Sequence, residues 1–348
     1  MTTLTADTPR PESRPTAPPP LLALPPLMTL RILASRAGLP VALLVDSDGA
    51  PGAGLGAALA AAGAPALASD FPCFYRPALG GPAIRALDAA GWEPMAPGAL
   101  FRADDKLVAG FIPAGVQWID GDWCLAPPAA ASAAQAASRA LALQLLQLVA
   151  ADADTHDIEA LLRRDPTLSY QLLRLVNSLG MGVVRRISSF SQALLILGRQ
   201  QLRRWLNLML FAAREGDLRS PMLLARVAVR ARALELLARA RGADRLTQDQ
   251  AFMTGMFSLL GVLFGMPLPE LLAPLSLSVA VQDALLRREG ELGALLQLAD
   301  SAERGDFGAV AAQLDALQIV AADFNLTMVD ATSWMLGALR ESRGRAYA

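Results

Sequence analysis

The chain has 348 residues and a mass of 36.7 kDa; it is 53% hydrophobic, 18% charged and carries a formal net charge of −1. At about 100–200 residues per domain this length predicts two domains, and so apolar a chain excludes global disorder. A single histidine (His156) and two cysteines (Cys73, Cys124) exclude imidazole-built metal centres and disulfide scaffolds, so no metal or cofactor is expected and the reducing cytoplasm is the expected location.

Residues 1–26 are rich in Pro and Thr and lack a basic stretch followed by an apolar core, which reads as a disordered tail rather than a secretory signal. Residues 27–130 read as a small α/β domain. Val41-Ala-Leu-Leu-Val45 is an unbroken apolar run ending in Asp46-Ser-Asp-Gly49, which predicts a buried strand and a turn. Leu55–Ala62 predicts a helix, Ala66–Ala68 a strand, and Gly81–Ala90 a helix stopped by Gly91. Leu107–Ile112 and Gln117–Ile119 predict short strands, with Asp104-Asp105 as a hairpin tip.

After Ala129 the strand signals end. Ser138–Ala151 and His156–Arg164 predict helices, the second capped by Asp152-Ala-Asp-Thr155. Asp165-Pro166 opens another helix with proline at its first position, and Asn177-Ser178 closes it. Ser189-Phe-Ser-Gln192 matches a capping box, with Gly198 as the stop after Leu197. Helices over 200–215 and 222–241 follow, and the helical pattern continues to the C-terminus. Ala251–Pro269 is uncharged over nineteen residues, but three glycines and Pro267 interrupt it. It predicts a helix buried in a helical core rather than a membrane span.

The ordered set Asp165-Pro-Thr-Leu168, Asn177-Ser178, Arg185-Arg-Ile-Ser188-Ser189, Ala193-Leu194 and Leu197-Gly198 resembles the HDOD (HD-related output domain) family. The resemblance covers roughly 138–338 and implies an all-α bundle similar in fold to HD phosphohydrolases but without their metal ligands. The fold class expected is therefore mainly α, with the small α/β domain in front. Related proteins fuse an EAL-type barrel to HDOD, so 27–130 is read either as a truncated EAL remnant or as a separate α/β domain. Residues 1–130 hold only two glutamates, Glu12 and Glu93, too few for a two-metal carboxylate cluster. His156-Asp157 spells the dipeptide of the catalytic superfamily but lacks the further histidines such a site needs, and a surface position on a first helical turn is expected.

These observations lead to an expected regulatory protein that is not an enzyme and has no catalytic residues. It is expected to act through protein partners in cyclic di-GMP-linked bacterial signalling, which is what the resemblance implies. The named motif residues have scaffold roles in this reading. Charge adds an alternative. Residues 163–245 hold 16 arginines against five acids, between a first stretch with 9 basic and 15 acidic groups and a last one with 6 and 12. Arg185, Arg186, Arg199, Arg203 and Arg204 could form an anion-binding face for a cyclic dinucleotide; nucleic acid is the weaker reading, and a solvated helix face the bland one. In the first domain, Asp46 and Asp48 after a buried strand could hold Mg²⁺, against a plain turn.

Overall fold

A computed structural model describes residues 26–48, 55–79, 81–128, 133–151, 153–163, 198, 204, 206, 218–275 and 277–343. In the first third, β1 (Met28–Ala34) and β2 (Pro40–Ser47) lead into helices α1 (Leu55–Ala61) and α2 (Ala64–Asp70). Then come β3 (Cys73–Tyr75), α3 (Gly81–Ala89), β4 (Glu93–Pro94), β5 (Leu100–Arg102) and β6 (Trp118–Asp120). The strands form one six-stranded sheet in the order β4-β3-β2-β1-β6-β5. β1 runs antiparallel to both its neighbours, while β2, β3 and β4 are mutually parallel, as are β5 and β6. Five strands therefore point one way and β1 the other.

The apolar run Ala42–Val45 is fully buried because β2 lies inside this sheet with both faces covered. Alternation sorts its side chains. Leu43 and Val45 join the large core with Cys73, Tyr75 and Ile119, whereas Ala42 and Leu44 face a smaller cluster with Leu33, Met95 and Ala99. The rings of Phe74 and Trp118 meet at a tilt of 43°, with centroids 5.3 Å apart, on that second side.

Several local expectations are corrected. Ala66–Ala68 lies in helix α2, not a strand: Gly63 turns the chain in a left-handed conformation and Pro65 starts the helix. Alanine favours that state, and Leu67 supplies its buried side. Leu107–Ile112 is no strand but bends into a 3₁₀ turn at Ala109–Phe111. Leu107 and Ile112 are buried while Val108 and Phe111 are exposed, a spacing that a period of two cannot produce. Since β5 and β6 are parallel, Asp104-Asp105 begins a crossover loop and is not a hairpin tip.

The helical part contains α4 (Ala133–Ala150), α5 (Thr155–Arg163), α6 (Ser220–Ala240), α7 (Arg245–Phe257), α8 (Leu260–Phe264) and α9 (Leu268–Leu272). It continues with α10 (Val279–Arg287), α11 (Gly290–Arg304), α12 (Phe307–Leu317) and α13 (Ala321–Arg343). The expected buried helix over 251–269 is buried but broken: α7 ends where Ser258 Oγ donates to the Gly255 carbonyl, and Gly265 stops α8 at φ 65°. No single helix among the described residues is long and apolar enough to cross a membrane. A mainly α chain is thus right for the helical part only, since the sheet is a substantial second element. The buried core runs from Met28 and Val45 through Leu234 and Phe252 to Leu295 and Phe324 without a break.

One close approach shapes this packing. A Cβ on Gly255 would lie 2.5 Å from Ala231 Cα, so α6 and α7 meet backbone to backbone. Gly255→Val is expected to destabilise the fold by about 1–3 kcal/mol through overpacking, read as a lower urea midpoint at unchanged slope. Cys73 and Cys124 are both free and buried. Burial pushes the Cys73 thiol up to about 12 and also raises Cys124. At pH 8 a pKa three units higher means about a thousandfold less thiolate. Ellman's reagent is therefore expected to label neither cysteine in the native state and both after denaturation. The raised pKa stabilises the fold below about pH 9 and loses that contribution as pH climbs toward about 12.

Candidate functional site

In α/β sheets, ligands gather beyond the carboxyl ends of parallel strands, where loops and the last strand residues converge. Here that edge is charged. Asp46 lies near the end of β2, Arg76 directly follows β3, Arg102 ends β5 and Asp120 ends β6. The antiparallel β1 adds Arg31 from between them. Arg31 Nε donates to Asp120 Oδ1 at 3.0 Å and its Nη1 lies 3.9 Å from Asp46. Arg76 Nε donates to Asp46 at 3.1 Å, and its Nη2 stands 3.6 Å from Asp120 Oδ2. Two guanidiniums and two carboxylates thus form a closed square of alternating charge.

Depth is graded across the square. The Asp120 side chain is 3% exposed, Arg31 12%, and Arg76 41%. Asp120 Oδ1 also accepts from the Gly121 N–H at 2.7 Å. Gly121 holds φ 108°, and a Cβ there would strike the Ala103 carbonyl oxygen at 2.2 Å, so only glycine makes this turn. On the solvent side Arg102 pairs with Asp104 at 2.8 Å, which raises the arginine pKa and lowers that of the carboxyl.

The square is tied to the helices. Arg226 of α6 pairs with Asp122 at 2.8 Å and donates to the Gly121 carbonyl at 3.0 Å. One turn on, Arg230 is buried and grips α11: its Nε and Nη2 donate to the two Glu303 oxygens at 2.7 and 2.8 Å. It also reaches Asp300 at 2.9 Å and donates to Ser258 Oγ at 2.9 Å. Burial by itself lowers the Arg230 pKa, but Glu303 and Asp300 outweigh it and hold the guanidinium above its usual value. Chemically, the edge offers fixed donors beside fixed acceptors, suited to a polar group that presents both.

Of the residues expected to matter, Asp165, Pro166, Leu168, Asn177, Ser178, Ser188, Ser189, Ala193 and Leu197 lie outside the described residues, as do Arg185, Arg186, Arg199 and Arg203. Gly198 adopts φ 74° and is exposed, the geometry of a helix stop. His156 and Asp157 are exposed on the first turn of α5, as expected. The Arg204 side chain is mostly buried: it donates to Glu235 at 2.7 Å, pairs with Asp249, and lies 4.7 Å over the Phe252 ring.

Asp46 does not face a vacant turn but the two guanidiniums, and Asp48 Oδ2 accepts from the Leu27 N–H at 3.4 Å. No three His, Cys, Asp or Glu side chains among the described residues are grouped to hold one metal ion. Sequence reasoning missed Arg31 and Arg76. A signal existed for Arg31, a charge inside the apolar run Met-Thr-Leu-Arg-Ile-Leu-Ala; Arg76 had none.

Comparison with known proteins adds what the geometry cannot. The chain is 33% identical over 196 residues to a Vibrio cholerae protein named cyclic di-GMP phosphodiesterase CdgJ, a match covering 56% of this chain and 45% of that protein. It is 31% identical over 139 residues to the uncharacterized protein YuxH of Bacillus subtilis, covering 39% and 34%. It therefore spans less than half the length of either curated relative. Among solved structures, a candidate phosphohydrolase from Shewanella amazonensis aligns with a TM-score of 0.39 and 18% identity, over 56% of this chain and 93% of that one. A Geobacter sulfurreducens HDOD domain protein of unknown function aligns at 0.36 and 17%, over 62% and 93%.

The expectation that the chain is not an enzyme is overturned by the first relative, which is named for phosphodiesterase activity. Counting histidines excludes one way of building an active site, not every way. The ordered motif from Asp165 to Gly198 falls inside the stretch that matches a family model, and on that match residues 137–268 are an HDOD domain.

Proposed function

We propose that this chain works in cyclic di-GMP signalling, with its HDOD domain offering the surface that a protein partner or signal ligand engages. The observation that carries this reading is the 33% identity over 196 residues to a protein named as a cyclic di-GMP phosphodiesterase. The sheet gives it a second element. Five co-directional strands, with α-helices in the β2–β3 and β3–β4 crossovers, fit part of an α/β barrel wall, which supports descent of residues 27–130 from a truncated EAL domain. The Arg226 contacts with Asp122 and the Gly121 carbonyl join that sheet's carboxyl edge to α6, which supplies a physical connection between the two parts.

The test uses the purified full chain and cyclic di-GMP. Calorimetry reads binding, chromatography reads turnover to the linear dinucleotide, and mass spectrometry reads cellular cyclic di-GMP on overproduction. The reading expects at least one of the three to respond. It fails if nothing binds or turns over at about 100 µM, a free energy near −5 to −6 kcal/mol, and the cellular level stays unchanged.

A further inference from the structure

The chain enters its first strand under restraint. Asn325 of α13 is 1% exposed and grips both sides of Leu27: its Nδ2 donates to the Pro26 carbonyl at 2.9 Å, and its Oδ1 accepts from the Met28 N–H at 3.0 Å. The Leu27 N–H donates to Asp48. Residues 1–25 lie outside the described residues, so the segment before Pro26 sets out from a fixed point on α13.

That point has an uncovered apolar flank. Ala322 and Leu326 lie within about 100° of Asn325 on the same side of the helix. Both are exposed, Leu326 by 42%, and Val320 just ahead of the helix is 60% exposed. The sequence immediately upstream supplies a matching surface. Residues 1–20 are rich in proline and threonine, with Met1 and Leu4 as their only large apolar side chains, whereas Leu21-Leu-Ala-Leu24 is a compact apolar run between Pro20 and Pro25. Proline after Leu24 favours an extended backbone there, and in an extended chain alternate residues share a face, so Leu22 and Leu24 point the same way. Four extended residues reach about 13 Å from Pro26. Ala322 and Val320 stand only about 5 and 8 Å from Asn325 along the axis.

We propose that Leu22 and Leu24 dock on α13 over Ala322 and Leu326, as a strap that fastens the entry of β1 to the helices. The strap secures the strand that carries Arg31 to the charged square. Its occupant is this chain's own segment because so short a tether holds the leucines at an effective concentration in the millimolar range, which a second copy does not match. The proposal does not rest on the cyclic di-GMP reading, and either can fail alone.

The experiment uses the full chain carrying Leu326→Cys and follows its reaction with Ellman's reagent at pH 8, where Cys73 and Cys124 are buried. Leu286→Cys on α10, where the native leucine is 43% exposed, is the reference for an uncovered site of equal exposure. Adding Leu22→Asp and Leu24→Asp is expected to speed labelling at position 326 by about tenfold or more, as when a protecting contact opens, and to leave position 286 unchanged. The same two charges introduced as Thr16→Asp and Ala17→Asp should alter neither rate. An unchanged rate at 326 in the Leu22→Asp, Leu24→Asp chain overturns the proposal, even where the urea midpoint falls, since the leucines then pack elsewhere. A rise at both positions overturns it as a general loosening of the fold. Protection of 326 that grows with protein concentration overturns it as well, by assigning the flank to a second copy.

Discussion

Arg230→Ala is expected to lower unfolding free energy by about 3 kcal/mol, at the lower end of the cost of breaking a buried ion pair. The guanidinium is 5% exposed and makes four polar contacts, two to Glu303 and one each to Asp300 and Ser258. Removing it leaves the Asp300 and Glu303 carboxylates side by side on α11, with only Asp300 keeping another guanidinium, that of Arg288 at 3.3 Å. Both are about one-fifth exposed, so they recover part of their hydration, which is why the upper end of the range is not expected. A urea titration checks this, with the midpoint falling at unchanged slope. Adding Glu303→Gln should restore part of the loss, because it removes one stranded charge. A loss under about 1 kcal/mol, the worth of a surface pair, would mean that solvent rather than Arg230 balances these acids.

How much of this was legible in the sequence depends on the range of the interaction involved. Ala42–Val45 announces a buried strand because its signal is local and continuous, and α3 and α6 follow from helical spacing and their stops. The strands β3 and β5 were missed because three residues cannot establish a period, so their existence depends on partners elsewhere in the chain. α2 was misread because an Ala-Leu-Ala triplet carries no period, while Gly63 and Pro65 held the usable signal. The charged square lay furthest from reach. In the sequence Asp46 stands beside Asp48, and Asp120 beside Asp122. The sheet instead pairs Asp46 with Asp120, through Arg31 and Arg76, because β1 inserts between β2 and β6. A tally of ligand types cannot reveal such an arrangement, nor can it rule chemistry out, which is where the expectation of a non-enzyme went astray.

The contact least visible in sequence closes the chain on itself. Asn325 of α13 is 1% exposed, and its amide completes the start of β1: Nδ2 donates to the Pro26 carbonyl at 2.9 Å, and Oδ1 accepts from the Met28 N–H at 3.0 Å. Strand β6 pairs with β1 only at Ala34, so the side chain stands in for a missing neighbour strand. Asn325→Leu keeps the branching of the side chain and strands both backbone groups, at about 1–3 kcal/mol each, so a loss of about 2–5 kcal/mol is expected. Ellman labelling of Cys73 at pH 8 should then quicken, since the sheet opens more often. Asn325→Asp gives a sharper test. A protonated carboxyl can donate to Pro26 and accept from Met28 as the amide does, whereas a carboxylate must be buried and must face the Pro26 carbonyl oxygen. Burial and that oxygen raise the folded pKa of the introduced acid above its unfolded value near 3.9. Its contribution is therefore intact at low pH and disappears as pH rises through the folded pKa. The deficit of Asn325→Asp relative to wild type should be small near pH 4 and large at pH 8; a deficit that does not change with pH would show that Asn325 does not donate to Pro26.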